Sequence, residues 1–194
     1  RRYVWVSLGV LFSQRGFLVL HASAAAMGSG AVAFLGCSGS GKSTTVAALC
    51  ARGHALLAED LMVVRLEGNQ VLPGFPQIRL WPDAVRALGL EVRFPDPPPP
   101  GALKHVLLSD RQFSSRAMPL RRIYVLAEGP CVRLIPLSPR EAFVALHRHA
   151  YSRQIIRVKA VSSFPSYAAF ALQVRALRLE RPQSLETLDE VVEA

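Results

Sequence analysis

The sequence is poor in cysteine, in charged residues and in long apolar segments. Its three cysteines, Cys37, Cys50 and Cys131, are an odd number with no C-x-x-C spacing, which argues against a disulfide framework or a zinc ribbon. Free thiols indicate a reducing, cytoplasmic location. Only 19% of residues are charged and 51% are hydrophobic, which excludes a disordered tail or a coiled coil. No segment reaches the ~18–20 apolar residues of a membrane span, so no membrane partner is expected.

The amino-terminal segment begins with Arg1 rather than Met, which leaves room for a further segment before it. The apolar run Tyr3–Phe12 resembles the start of a signal peptide, but it breaks at the turn residues Gln14–Gly16. We therefore predict two strands, Tyr3–Phe12 and Phe17–Ala26, joined by this turn. The length of 194 residues suits one domain spanning the whole chain.

Acidic residues are scarce in the second half of the chain. The net charge is +9, and thirteen basic but only three acidic residues fall between Pro98 and Leu179. That segment therefore carries +10 and the remainder −1. A basic half of this kind indicates an anionic partner, which could be a nucleotide, a nucleic acid, an acidic peptide or a lipid.

Short apolar runs and turn residues predict an alternation of strands and helices. A proline-rich loop, residues 94–101, separates the two halves. Ser138 and Glu141 predict a capping box at the start of a helix. The predicted strands are Ala31–Leu35, Ala55–Ala58, Leu61–Leu66, Arg122–Ala127, Val132–Leu137 and Ala176–Leu179. The predicted helices are Ser43–Arg52, Asp83–Leu88, Pro139–Ala150, Tyr167–Val174 and Leu185–Glu193.

The strongest motif is a glycine-rich loop that matches G-x-x-x-x-G-K-[ST] over Gly36–Ser43, between a predicted strand and a predicted helix. Glycines let the backbone approach phosphates closely, and the amides meet them at the positive end of the helix. Lys42 is expected to reach the β- and γ-phosphates, and the Ser43 hydroxyl to bind Mg²⁺. The predicted nucleotide-binding residues are Gly36, Ser38, Gly39, Ser40, Gly41, Lys42, Ser43 and Thr44.

Two acidic residues, Glu59 and Asp60, follow a short apolar strand about 17 residues after Lys42. Acidic residues at such a strand end hold Mg²⁺ in P-loop proteins, and two together can divide the metal and the proton between them. The other interpretation is a solvated turn. His21, at the end of another apolar run, suits proton handling or hydrogen bonding to a phosphate, although a lone histidine is more often structural.

Three segments together resemble the catalytic core of the HPr kinase/phosphorylase family: His21–Ala24, Gly36–Thr44 and Arg52–Asp60. The chain is most similar to its stand-alone HPr-kinase-like members, the lasso peptide kinase type. A looser similarity covers residues 78–82 and 119–126. The resemblance implies an α/β fold with a P-loop kinase core of the phosphoenolpyruvate-carboxykinase-like type. Its sheet would be mixed and largely antiparallel, with packed helices, rather than doubly wound and parallel.

The resemblance also implies chemical roles. Members of this family phosphorylate a serine hydroxyl with ATP, or GTP, and Mg²⁺. By this resemblance Glu59 is the general base, Asp60 and Ser43 serve Mg²⁺, and His21 supports the catalytic acid. The first acidic residue of the pair is usually Asp in the family and is Glu59 here.

The acceptor implied by the resemblance is a serine of a peptide, and we favour a ribosomally synthesised precursor peptide. The later signature of the bifunctional HPr kinase/phosphorylases is absent around residues 111–122, which argues against HPr and against the reverse phosphorolysis. Related kinases are oligomeric, so a homo-oligomer is also expected. Candidate cations for the γ-phosphate or the acceptor are Arg79, Lys104, Arg111, Arg116 and Arg121.

Three alternatives remain open at this point: a kinase of an HPr-like carrier protein, a nucleotide-binding regulatory module without transfer activity, and a nucleic-acid binder. The last ranks lowest because few aromatic residues interrupt the basic half and no RNA- or DNA-binding motif is present. We expect the basic half to receive an acidic or carboxylate-bearing peptide.

Overall fold

The computed structural model describes residues 2–90, 105–108, 112–151 and 160–194. The helices of these residues are α1 (Arg2–Gln14), α2 (Lys42–Ala51), α3 (Pro82–Ala87), α4 (Pro139–His149), α5 (Ala160–Gln173) and α6 (Leu188–Glu193). The strands are β1 (Leu18–Leu20), β2 (Ala22–Met27), β3 (Gly30–Leu35), β4 (Ala55–Ala58), β5 (Met62–Arg65), β6 (Gln70–Val71), β7 (Gln77–Leu80), β8 (His105–Leu108), β9 (Met118–Glu128), β10 (Arg133–Pro136) and β11 (Arg175–Arg181). A short 3-10 helix covers Glu67–Asn69.

A nine-stranded mixed sheet forms the centre of the fold, with β3 near its middle. Its strands follow the order β1-β5-β6-β9-β3-β2-β4, and β11 joins β9 and carries β10. Only β3–β9 and β9–β11 are parallel among these pairings, and β7–β8 form a separate antiparallel pair. The prediction of a mixed and largely antiparallel sheet with packed helices is thus confirmed.

The sheet has an apolar core on each face, which follows from the alternation of side chains along its strands. Along β3, Ala33 and Leu35 belong to one cluster, which also contains residues of α4 and α5. Phe34 belongs to the other cluster, with residues of α2, α3 and α6, and its ring stacks on Tyr124 of β9 at 5.4 Å between centroids. Every residue of β3 is buried, so the position where this strand ends is fixed from both faces.

The predicted strand Tyr3–Phe12 is wrong, because these residues belong to the 13-residue helix α1. Leu8 and Phe12 pack against a small cluster built on β1 and β5. Residues four apart share one face of a helix, and Leu11, which lies between them in sequence, is exposed. The predicted strand Phe17–Ala26 is interrupted at His21, so that β1 pairs with β5 while β2 pairs with β3 and β4.

Most other predicted elements are found with shifted ends. The helix predicted over Tyr167–Val174 belongs to α5, which begins at Ala160, and the carboxyl-terminal helix begins at Leu188 rather than Leu185. The proline-rich loop 94–101, Lys104 and Arg111 lie outside the described residues. Within the described part of the chain, no helix is both long and apolar enough to cross a membrane.

The predicted capping box is present at the start of α4. The Ser138 hydroxyl accepts a hydrogen bond from the Glu141 backbone N–H, and the Glu141 carboxylate accepts one from the Ser138 N–H at 2.9 Å. These bonds satisfy two of the backbone donors that a helix start leaves unpaired.

We expect Ser138→Ala to lower the free energy of unfolding by about 1 kcal/mol, because one N-terminal amide loses its acceptor. Chemical denaturation measures this change. Ser7→Ala, on the exposed side of α1, is the matched control and should change stability little. Equal stability of Ser138→Ala and wild type would show that the capping box contributes nothing.

Candidate functional site

The glycine-rich loop lies between the end of β3 and the start of α2, the strand–loop–helix context that its sequence predicts. Gly39 and Gly41 adopt left-handed backbone conformations with φ of 85° and 87°, which side chains other than glycine rarely tolerate. A Cβ atom at Gly36 would overlap the Ser40 side chain. Gly39 and Gly41 therefore require glycine for the loop to take this shape, and a side chain at position 36 would force Ser40 to shift.

Lys42, the first residue of α2, folds back across the loop. Its Nζ donates hydrogen bonds to the carbonyls of Gly36 at 2.9 Å and Cys37 at 3.0 Å. The side chain is 6% exposed, so its charge is held against the loop rather than in solvent. At the other end of the loop, the Gly41 carbonyl accepts from the backbone N–H and the hydroxyl of Thr45.

The loop has the features of a phosphate site. The positive end of α2 lies at its carboxyl-terminal side, together with the buried Lys42 ammonium. The Ser40 hydroxyl is buried and has no hydrogen-bond partner among the described residues. A phosphate oxygen would supply the partner that this hydroxyl lacks, so the residues present fit the group that the motif predicts.

The start of α2 is joined to the end of β4 by one hydrogen bond. The Ser43 hydroxyl donates to Oε1 of Glu59 at 2.8 Å. Glu59 directly follows β4 and is 6% exposed. The loop and the acidic pair, which lie apart in the sequence, thus form one site.

The acidic pair is contacted by an arginine from β7. Arg79 forms an ion pair with the Asp60 carboxylate through Nη2, and its Nε lies 3.9 Å from Oε2 of Glu59. Asp60 has a φ of 63°, the left-handed region that Asp tolerates better than most residues. This turn sends the two neighbouring carboxylates toward one arginine.

Oxygen donors at this corner fit a magnesium ion. Mg²⁺ usually takes one or two carboxylates and keeps the phosphates and water as its other ligands. The Ser43 hydroxyl and the carboxylates of Glu59 and Asp60 are donors of that kind, brought to the edge of the phosphate loop. Arg79 offsets part of their negative charge.

His21 and the end of α4 close the site on a second side. The His21 ring nitrogen Nδ1 lies 3.1 Å from the Asp60 carbonyl oxygen. Its backbone N–H donates to the His149 carbonyl at 2.7 Å. The ring of Tyr151 meets the His21 ring edge to face, with 6.2 Å between centroids. His21 therefore contacts the backbone of the acidic pair at Asp60.

The surroundings of His149 disfavour its charged form. Burial, together with the positive charges of Lys42, His21 and Arg148, lowers the pKa of His149 to about 4. This histidine is therefore neutral near pH 7. A cationic His149 would repel the lysine that the phosphate loop uses.

The structure brings most of the predicted site residues together. Thr44 is half-buried in the first turn of α2, and Ser38 is exposed at the loop tip. Of the candidate cations, Arg79 lies at the acidic pair. Arg116 is exposed. It lies two residues after Ser114, whose backbone N–H donates to the Leu56 carbonyl of β4.

Arg121 lies away from the glycine-rich loop. Its side chain packs against Gly30, where β3 begins, whereas the loop follows the other end of that strand. The structure therefore does not bring Arg121 to the site with Arg79.

Three residues of the site were not predicted. His149 is the last residue of α4. Arg181 is the last residue of β11, and Gln183 lies two residues after it. Arg181 donates to the Ser40 carbonyl at 2.7 Å and Gln183 to the Gly39 carbonyl at 3.2 Å. No local motif marks them. Arg181 and Gln183 reach the loop through the pairing of β11 with β9, and His149 reaches His21 through the end of α4.

Comparisons with known proteins add little. No model of a protein family matches the chain, and no curated protein matches it. Among solved structures, it is similar to the HPr(Ser) kinase/phosphatase from Coxiella burnetii, with 15% identity and a TM-score of 0.41. The match covers 90% of this chain and 93% of that chain. A TM-score this low supports no conclusion about fold or activity.

The low pKa of His149 predicts a pH dependence of stability. In the unfolded chain a histidine titrates near pH 6.5, whereas His149 titrates near 4 when folded. Between these values the unfolded state binds more protons, so the free energy of unfolding falls as pH falls through this window. Replacing His149 by Asn should make that fall shallower.

Urea denaturation at a series of pH values between 7 and 4 measures this slope. His147→Asn, an exposed position on the same helix, is the matched control and should keep the wild-type slope. The same slope in His149→Asn and wild type would contradict the assignment.

Proposed function

We propose that this protein is a Mg²⁺-dependent kinase that transfers the γ-phosphate of ATP, or GTP, to a serine hydroxyl of a peptide. The hydrogen bond between Ser43 and Glu59 carries the proposal, because it joins a phosphate loop to an acidic pair. Phosphoryl transfer needs these two parts and little more, since catalysis consists mainly of positioning and charge neutralisation.

The residues of the loop bind and orient the nucleotide in this proposal. The loop amides and the positive end of α2 hold the phosphates, and Lys42 leaves its two carbonyl acceptors to reach them. Mg²⁺, when bound with the nucleotide, neutralises charge on the phosphate oxygens. Arg79, which is paired with the acidic residues, is proposed to turn to the phosphates when they bind.

Glu59 is proposed to take the proton of the attacking hydroxyl, as the family resemblance implies, with Ser43 and Asp60 serving the metal. Oε1 of Glu59 already accepts a hydrogen bond from the Ser43 hydroxyl, and the Glu59 carboxylate is buried. His21 supports the pair through the Asp60 carbonyl. Lys42 is counted with these catalytic residues because its ammonium group is proposed to stay bound to the phosphate during transfer.

The Ser43 hydrogen bond favours a second division of labour. In P-loop proteins the loop hydroxyl and an acidic residue hold the metal together. Glu59 would then belong to the metal, and Asp60, whose side chain is 23% exposed, would face the acceptor. The two divisions differ in what each acidic residue does for nucleotide affinity.

The acceptor is proposed to be a precursor peptide of the lasso type, on the resemblance to the stand-alone HPr-kinase-like proteins. A kinase of an HPr-like carrier protein and a non-catalytic nucleotide-binding module are the alternatives. The proposal also includes one P-loop kinase domain over the chain, a cytoplasmic location, a homo-oligomer, and no nucleic-acid or membrane partner. The three cysteines, none of which is in a disulfide, are consistent with that location.

We expect Glu59→Gln to lower phosphate transfer by ~10²–10⁴-fold while leaving the affinity for Mg²⁺ and ATP nearly unchanged. The amide keeps an oxygen for the Ser43 hydroxyl but cannot accept a proton as a carboxylate does. Transfer of label from γ-labelled ATP and calorimetric titration of ATP measure the two quantities.

Asp60→Asn is the matched variant, because Asn also tolerates the left-handed backbone at this position. It should weaken Mg²⁺-dependent ATP binding. If instead Glu59→Gln loses that affinity and Asp60→Asn keeps it, the second division of labour is correct.

We expect label transfer to serine-containing precursor peptides and little to an HPr-type carrier protein. Replacing the acceptor serine by alanine should abolish the labelling, since alanine has no hydroxyl. Arg116→Glu should lower the affinity for the acceptor peptide more than the affinity for ATP, because it reverses an exposed charge outside the loop. Labelling of the carrier protein but not the peptides would reverse the acceptor assignment, and labelling of neither would favour the regulatory module.

A further inference from the structure

The outer side of the glycine-rich loop is held by the segment that ends the sheet, residues 181–183. Arg181 is the last residue of β11, and its Nη2 donates to the Ser40 carbonyl at 2.7 Å. Gln183 donates to the Gly39 carbonyl at 3.2 Å. A Cβ atom at Gly41 would collide with the Arg181 guanidinium, so glycine at this position also makes room for the arginine.

Together with Lys42 and Thr45, these side chains bind five carbonyl groups of the loop. The acceptors are the carbonyls of Gly36, Cys37, Gly39, Ser40 and Gly41. In a trans peptide the C=O and the N–H point in opposite directions. Fixing the Ser40 carbonyl on the Arg181 side therefore turns the Gly41 N–H toward the opposite side of the loop.

Arg181 is a buried cation without a carboxylate. It is 8% exposed, and the ion pairs of the described residues do not include it. Besides Ser40 it donates to the Pro182 carbonyl at 3.1 Å, and its Nε is buried with no partner among the described residues. Burial lowers the pKa of its guanidinium. A buried charge with only neutral partners is costly unless an anion arrives nearby.

We propose that Arg181 is a positioning residue for the nucleotide phosphates. It holds the Ser40–Gly41 peptide with its N–H toward them, and its positive charge attracts them across that peptide rather than by direct contact. This inference rests on the proposed nucleotide site. Arg181 acts through the loop backbone and on the side opposite the phosphates, so it differs in role from Lys42 and Arg79.

The test compares Arg181→Met with wild type in calorimetric titrations of ATP with Mg²⁺, and of inorganic pyrophosphate with Mg²⁺. We expect both ligands to bind about tenfold or more weakly, the range for a hydrogen bond that involves a charged group. The melting temperature of the ligand-free protein should not fall, because methionine removes an uncompensated buried charge while filling similar space. A merely structural role would lower that temperature and leave the affinities unchanged.

Arg175→Met is the matched control, since Arg175 is exposed at the other end of β11 and the change in net charge is the same. It should bind both ligands as wild type does. Arg181→Lys keeps the charge but not the planar guanidinium, so its affinities for both ligands should fall by an intermediate amount. This variant replaces Arg181→Met in the test if the methionine variant does not fold.

Unchanged affinity in folded Arg181→Met, or in Arg181→Lys when the methionine variant is unfolded, would overturn this inference alone. Failure of the wild-type protein to bind ATP would instead overturn the proposed function on which it rests.

Discussion

The site depends most on the hydrogen bond from Ser43 to Glu59. It connects the first turn of α2, which follows the glycine-rich loop, to the end of β4, which carries the acidic pair. The sheet brings the two together, because β4 pairs with β2 and β2 pairs with β3. The glycine-rich loop and the acidic pair therefore meet at the same corner of the sheet, and the bond links them there.

Charge at this corner is balanced without a ligand. Lys42 is turned onto two loop carbonyls, and Arg79 is paired with the acidic residues. His149 stays neutral because burial and the nearby cations lower its pKa to about 4. In the proposed function, a triphosphate with a metal would exchange these internal partners for phosphate oxygens and the metal. The basic excess of the second half would then be left for an acceptor, for which the exposed Arg116 is proposed.

Local patterns predicted the parts of the site that lie close together in the sequence. The glycine-rich loop, the strand before it and the helix after it were found, as was the capping box of Ser138. The strand predicted over Tyr3–Phe12 was wrong, since a short apolar run fits a buried strand and a packed helix equally well. His149 and Arg181 were missed because only pairing between distant parts of the chain brings His149 to His21 and Arg181 to the loop. No spacing rule describes such contacts.

The central claim is that the loop and the acidic pair form one nucleotide site that uses a metal. Calorimetric titration of ATP into the wild-type protein, with Mg²⁺ and then with excess chelator, tests it most directly. The account predicts one site that binds ATP with Mg²⁺ and much more weakly in chelator, because carboxylates beside a bare triphosphate repel it. Absence of ATP binding, or equal binding with and without Mg²⁺, would contradict it.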